Sequence, residues 1–210
     1  MMLLALALLL TPAASTLQWN IEALKRFFNH RSVTPANLKV NPVEKRGQVG
    51  VYDYAFDGPL GGRVPGLLTL PAGTGAFPLI LYGHWMMKGS PLRNKSEFLE
   101  EAIIMSRAGA ACLLLDTPLV REGFVEDPEP MNGQNEFAQL KMAQEWRRAL
   151  DLLSDRADID MRRIAYVGHS FGAGHELNAE ARLDRARWLR ERLELDPLDE
   201  TALSSIPPLR

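Results

Sequence analysis

The chain has 210 residues, 46% of them hydrophobic, which is enough for one domain with a substantial core. Its formal net charge of −2 gives no indication of a nucleic-acid partner or of another strongly anionic one. The single cysteine, Cys112, excludes a disulfide within the chain, and the four histidines lack the spacing of metal ligands, so we expect neither a metal nor another cofactor.

The chain begins with the apolar segment MMLLALALLL, followed by the small, turn-prone residues 11–15. This pattern is typical of a short secretory signal peptide cleaved near Ser15, and it is too short to span a bilayer. We therefore predict a signal peptide over residues 1–15 and a secreted or periplasmic protein. The alternative is a cytoplasmic protein with an N-terminal helix that packs on the domain or anchors it loosely.

Apolar and alternating segments predict most of the secondary structure. We expect strands over 48–56, 63–70, 77–82 and 111–115, and helices around 19–28 and over 97–108 and 135–155. Residues 117–134 form a loop rich in Pro, Gly and acidic residues after a strand, so they either shape the mouth of a ligand site or form an ordinary surface loop.

The most informative motif is Gly168-His169-Ser170-Phe171-Gly172, which has the G-x-S-x-G pattern of a nucleophile elbow. A turn at Asp158–Asp160 and an apolar strand over Arg163–Val167 precede it. A strand that turns directly into a helix strains the backbone at the serine, and glycines allow the close approach that this requires. The motif predicts Ser170 as a nucleophile and the Phe171 N–H as a donor to an oxyanion. The alternative is a Gly-rich turn with an ordinary surface serine.

A second segment consists of an apolar strand that runs into Gly83, His84 and Trp85. In the architecture that contains a nucleophile elbow, the loop after this strand supplies the other oxyanion N–H, for which Trp85 is the candidate. We place Met86 and Met87, together with His84, at the substrate pocket. His84 is expected to fix this loop rather than to act as a general base.

These segments together resemble α/β-hydrolases of the dienelactone-hydrolase, acetyl-esterase and peptidase-like kind. The resemblance covers roughly residues 48 to 173. Its matching stretches are RVPGLLTLPAGTGAFPLILYGHW, AACLLLDTP and DIDMRRIAYVGHSFGA. It implies an α/β fold, a three-layer sandwich with a mostly parallel central sheet, and hydrolysis of a small ester through a serine nucleophile, although thioesters, lactones and peptides are cleaved by the same machinery.

After the elbow the resemblance passes directly to the end of such a hydrolase, with Gly174-His175 and then a helical stretch over 179–193. The family carries a helix, several strands and the acidic member of the triad in between. Each βα unit needs about 30 residues, so about 60 residues are missing. We therefore predict a hydrolase domain over 16–195, joined near 173–174 and truncated after the elbow strand, with a loose C-terminal tail over 196–210. The alternative is a coincidental Gly-His pair in a polar helix.

This join affects the catalytic residues. By resemblance His175 is the general base, but it follows Ser170 by five residues, and a continuous helix would turn the two side chains apart. The position that would carry the acidic residue is missing, and Asp116, at the end of a strand, is expected to be structural.

Three functions stay open at this stage. The chain is a serine hydrolase for a small ester, a catalytically impaired pseudo-hydrolase that binds a small ligand, or an interaction protein whose exposed sheet edge binds a partner strand. Because truncation would leave the elbow strand as an apolar edge, we also predict self-association through that edge.

Overall fold

Six β-strands form one mixed sheet. In chain order they are Lys39–Arg46 (β1), Val49–Asp57 (β2), Arg63–Leu70 (β3), Phe77–Gly83 (β4), Ala111–Leu115 (β5) and Ile159–Gly168 (β6), and their order across the sheet is β1-β2-β3-β5-β4-β6. The computed structural model describes residues 36–84, 90–122, 133–168 and 179–207, all within the compact unit Arg31–Arg210.

Strand direction follows from the pairings. The ladders β1/β2, β2/β3 and β3/β5 are antiparallel, whereas β4 pairs in parallel with both β5 and β6. Four strands therefore run in one direction, and β1 and β3 run against them. This arrangement confirms the predicted α/β class, whereas the described sheet is mixed rather than mostly parallel, since three of its five ladders are antiparallel.

Four α-helices and one 3₁₀ turn accompany the sheet in the described residues. The helices are Leu99–Arg107 (α1), Gly133–Ser154 (α2), Ala179–Leu193 (α3) and Glu200–Ser205 (α4), and the 3₁₀ turn is Pro118–Val120. No helix among these is long and apolar enough to cross a membrane.

The helices cover both faces of the sheet. Helix α1 connects β4 to β5, and α2 connects β5 to β6, so the two crossovers run in opposite directions across the sheet. Right-handed crossovers in opposite directions place their helices on opposite faces. The two buried clusters agree, since Ile103 of α1 belongs to one and Trp146 of α2 to the other.

Helix α3 packs on the α1 face. Its residues Ala186, Leu189 and Leu193 belong to the same buried cluster as Ile103 of α1. The α2 crossover runs from β5 towards the β6 end of the sheet. A helix that led from β6 to a further strand beyond it would cross in this same direction, and a right-handed connection would therefore place it on the α2 face. Helix α3 is therefore not a crossover to an additional outer strand.

Two sequence predictions are corrected by this structure. Residues 196–210 are not a loose tail throughout, because they contain α4, whose Leu203 is fully buried against the α1 cluster. The turn predicted at Asp158–Asp160 ends sooner, because Ile159 and Asp160 already pair with β4 ahead of a bulge. Strand β1 was not predicted, and its outward side chains are mostly exposed.

The single cysteine is the second residue of β5. The Cys112 side chain is fully buried, and burial raises the pKa of its thiol to about 12. The thiol is therefore protonated at neutral pH and unreactive, as the apolar strand around it predicts.

Candidate active site

The two strands that lead into the predicted catalytic segments end side by side. Strand β6 is the direct neighbour of β4, and Gly168 is the partner of Gly83 in their parallel ladder. Adjacent strands lie about 4.8 Å apart, so the chain leaves both strands at neighbouring points on the carboxyl edge of the sheet. The sequence continues to Trp85 two residues after Gly83, and to Ser170 two residues after Gly168.

Most of the predicted site residues lie outside the described part of the chain. These are the nucleophile, the general base, both oxyanion donors and two pocket residues, namely Ser170, His175, Phe171, Trp85, Met86 and Met87. The predicted signal peptide and the helix around 19–28 lie outside it as well. The structure defines the ends of β4 and β6, from which the two catalytic segments continue.

Gly83 is required by a close approach at this edge. Tyr166 of β6 lies across Gly83, and a side-chain carbon added at this position would collide with the Tyr166 hydroxyl. The Tyr166 ring also contacts Trp146 of α2 edge-on, with 6.0 Å between ring centroids. The glycine at the end of β4 thus allows β6 to carry a large side chain next to the start of the catalytic loop.

His84 holds two loops together at the same edge. It is buried, and its Nε2 accepts a hydrogen bond from the backbone N–H of Thr117 at 3.0 Å. Because Nε2 uses its lone pair in this bond, the neutral ring carries its proton on Nδ1. His84 therefore ties the end of β4 to the segment after β5, and this bond leaves Nε2 unable to accept a proton from a nucleophile.

Asp116, the residue after β5, is also structural. Its Oδ1 accepts the Lys95 backbone N–H at 2.6 Å, and its Oδ2 lies 3.6 Å from the Lys95 Nζ. The backbone N–H of Asp116 donates to the carbonyl of Pro65 at 2.9 Å. These contacts fasten the segment before α1 to the end of β5. The role of the Asp116 carboxylate is therefore to position these two segments.

An ion pair that no sequence motif indicates fixes the turn after β5. The Arg121 guanidinium binds both carboxylate oxygens of Glu145 on α2, with Nη1 at 2.9 Å from Oε1, and it also donates to the Asp116 carbonyl at 2.9 Å. Glu145 is nearly inaccessible to solvent. The sequence places Glu145 next to Trp146, on the buried side of an amphipathic helix, and a charged residue there indicates a buried ion pair. Its partner Arg121 cannot be identified in the same way, because it lies 24 positions away.

An open depression of about 670 Å³ lies beside this turn. Its lining includes Pro65 and Asp116 at the carboxyl edge of β5, Arg121 of the turn, and Phe137 and Lys141 of α2. Ligand sites commonly have volumes of about 300–1,000 Å³. The depression opens at the same edge of the sheet as Gly83 and Gly168, two strand spacings from β6, or roughly 10 Å.

A buried charge cluster ties α3 to α1 near the end of β4. Glu101 of α1 is buried, accepts the Tyr82 hydroxyl at 3.1 Å, and pairs with Arg185 of α3 at 2.5 Å. The Arg185 guanidinium also lies over the Phe98 ring, 5.6 Å from its centroid. Removing one partner of such a buried pair costs about 3–5 kcal/mol, so the cluster strongly fixes α3 on the α1 face.

The described residues contain no group of three or more His, Cys, Asp or Glu side chains placed to hold a metal ion. The carboxylates of the half-buried Asp116 and of the buried Glu145 and Glu101 are each paired with a cation. None of these three carboxylates is therefore available as the acidic member of a triad without breaking an ion pair.

Comparison with known proteins gives similarity at the level of structure. The sequence matches no protein-family model and no curated protein sequence. The structure is similar to an acetyl xylan esterase from Paenibacillus sp. R4, with 23% sequence identity, a TM-score of 0.53, and coverage of 81% of this chain and 54% of that chain. It is also similar to acetyl xylan esterase 1 from Thermoanaerobacterium sp. JW/SL YS485, with 17% identity, a TM-score of 0.51, and coverage of 82% of this chain and 55% of that chain.

A methylesterase is a third structural relative, with 19% identity, a TM-score of 0.55, and coverage of 82% of this chain and 38% of that chain. The chain thus spans between 38% and 55% of the length of these three proteins. The likenesses confirm the fold predicted from the elbow motif, which is that of the α/β-hydrolases.

Proposed function

We propose that this chain is a serine hydrolase that cleaves a small ester. The observation that carries the proposal is the register of β4 and β6, in which Gly83 and Gly168 are direct partners. This register starts the candidate oxyanion loop and the candidate nucleophile segment from adjacent points, as acyl transfer requires. The esterase names of the structural relatives agree with an ester as the substrate class.

In the proposed reaction the Ser170 Oγ attacks the ester carbonyl carbon while His175 takes the hydroxyl proton. The N–H groups of Phe171 and Trp85 donate to the oxygen that becomes negatively charged. Collapse of the intermediate breaks the bond to the alcohol, which leaves with the proton from His175. Water then attacks the acyl group, releases the acid and restores Ser170.

The depression beside the Arg121 turn lies at the carboxyl edge of the sheet, from which the candidate catalytic segments also start. Because it lies roughly 10 Å from β6 along the edge, we assign it to the part of the substrate beyond the scissile bond. Its lining combines the cations Arg63, Arg121 and Lys141 with the carboxylates Asp116 and Glu122, so the charges largely balance and an uncharged group suits it.

The second candidate is a pseudo-hydrolase that retains the fold and binds a small ligand without turnover. The placement of α3 favours it, because a helix on the α1 face fits the closing helix of the domain rather than a connection to further strands. On this alternative the strand carrying the acidic residue is absent, and His175 lacks the partner that would orient it.

Labelling with a fluorophosphonate probe distinguishes the two candidates, since the probe reacts with an activated serine and largely ignores ordinary ones. We expect the folded wild type to be labelled, and Ser170→Ala to abolish labelling. Ser154→Ala is the matched control, because Ser154 is an exposed serine at the carboxyl end of α2, before β6 begins. This variant should label like the wild type.

His175→Ala tests the base. It should reduce both labelling and hydrolysis of p-nitrophenyl acetate by at least about 100-fold, the usual contribution of general base catalysis. A wild type that shows a cooperative thermal transition and yet takes up no probe would overturn the hydrolase and leave the pseudo-hydrolase.

A further inference from the structure

Strand β6 is open along one side in the described part of the chain. It stands at the end of the sheet, where it pairs with β4 alone. An edge strand presents unpaired backbone N–H and C=O groups, and natural proteins usually protect such edges with charges, bulges or covering elements. The protection of β6 differs between its two halves.

The amino half of β6 is protected. Its ladder with β4 is interrupted by a bulge, since Asp160 pairs with Pro78 and the next pair is Ile164 with Leu79. Around the bulge Asp160 binds Arg162 and Arg163 at 3.0 and 2.9 Å, and these two arginines hold the pKa of its carboxyl well below the usual range. Charges and irregular backbone together make this half a poor template for another strand.

The carboxyl half, Ile164–Gly168, is regular and exposes apolar side chains. Ile164 is 38% exposed and Tyr166 is 49% exposed, and both lie on the α2 face because they alternate with Ala165 and Val167, which pack in the α1 cluster. On the other side of the edge, Trp188 of α3 is 55% exposed. The edge therefore carries large apolar side chains around a backbone that no described strand pairs with on this side.

We propose that this half of β6 pairs antiparallel with β6 of a second copy of the chain, joining the two sheets into one. The inference does not depend on ester hydrolysis. A symmetric antiparallel pair has its twofold axis at one residue, which then faces its own copy. The candidate centres can therefore be compared one by one.

Charge and side-chain size favour one centre. An axis at Arg163 places two arginines directly opposite each other, which is repulsive. An axis at Tyr166 places Ile164 opposite Gly168, so the isoleucine gains no partner side chain. An axis at Ile164 draws the bulged, charged half into the ladder. An axis at Ala165 avoids the first two problems, and it brings Arg163 and Arg162 only to the ends of the ladder, opposite Val167 and Gly168.

The Ala165 register also covers the exposed apolar groups reciprocally. Ile164 of each copy then lies opposite Tyr166 of the other, and pairs of aromatic and β-branched residues are among the stabilising cross-strand pairs. Ala165 faces its own copy on the α3 side, where its small side chain allows the strands to approach. In this register no two charged side chains lie directly opposite each other across the ladder.

Cysteine cross-linking tests both the pairing and its register. Two Ala165→Cys chains should form a disulfide-linked dimer under mild oxidation, because directly opposite residues have Cα atoms about 4.5–5.5 Å apart. The wild type is the background control, since its only cysteine is fully buried. Ile164→Cys alone should not cross-link, because two copies of position 164 would be roughly 8 Å apart.

A mixture of Ile164→Cys and Tyr166→Cys chains should cross-link again, since these positions face each other in the Ala165 register.

Sedimentation equilibrium measures the same association without a cross-link. It should show a wild-type dimer and a roughly tenfold weaker dimer for Ile164→Lys. Cross-linking of Ile164→Cys alone as efficient as that of Ala165→Cys would overturn the register. A wild type that stays monomeric, with an uncross-linked Ala165→Cys variant, would overturn the pairing and indicate that another segment or another partner covers the edge.

Discussion

At the scale of single residues, the described part of the site is a set of side chains that position loops. His84 binds the Thr117 backbone, Asp116 binds the Lys95 backbone, and Arg121 joins its turn to Glu145. Each contact crosses between elements that are distant in sequence. The geometry of the carboxyl edge therefore depends on hydrogen bonds that a motif search does not reveal.

His84→Phe tests this role. The substitution removes the acceptor of the buried Thr117 N–H, and an unsatisfied buried donor costs about 1–3 kcal/mol, so urea denaturation should show a lower free energy of unfolding by that amount. His84→Gln is the control, because its side-chain carbonyl can accept the same hydrogen bond. Equal losses for the two variants would show that ring packing, rather than this hydrogen bond, makes His84 important.

At the scale of elements, α4 shows how a segment of low hydrophobicity becomes ordered. Asp199 caps the helix by accepting the Ala202 N–H at 2.9 Å, and Leu203 is its single fully buried residue. Arg182 of α3, itself buried, donates to the Ile206 carbonyl at 2.8 Å after the end of α4. Leu203 is the only buried side chain of this short helix, and its polar contacts come from arginines of α3, which explains why the sequence pattern predicts a tail.

Leu203→Ala should therefore be costly for a residue so near the end of the chain. Removing a fully buried leucine side chain costs about 2–5 kcal/mol through lost transfer energy and the cavity that remains. The adjacent Ser204→Ala is the matched control, since Ser204 is exposed and its loss should change stability by less than about 0.5 kcal/mol. Thermal unfolding of both variants measures the difference, and a Leu203→Ala variant as stable as Ser204→Ala would mean that α4 is dispensable.

At the scale of the whole molecule, the sequence predicts the parts that burial dictates. Strands β3 and β5 lie at the predicted residues, because continuous apolar runs between turn residues leave little choice. Strand β1 was missed because only its backbone pairs with β2 while most of its side chains face solvent. The elbow motif identified the fold, whereas the contacts of Arg121 with Glu145 depend on packing that local patterns do not encode.

The same sheet predicts a gradient of stability across the molecule. Strands β5 and β4 are paired on both sides and buried on both faces, whereas among the described strands β1 and β6 each have a neighbour on one side only. In dilute protein, amide hydrogen exchange should therefore be slowest in β4 and β5 and faster in β1 and in Ile164–Gly168. Raising the protein concentration should slow exchange in Ile164–Gly168 and leave β1 unchanged, because the proposed dimer covers one edge only. Exchange in β6 as slow as in β4 in the monomer would show that the edge is already covered within one chain.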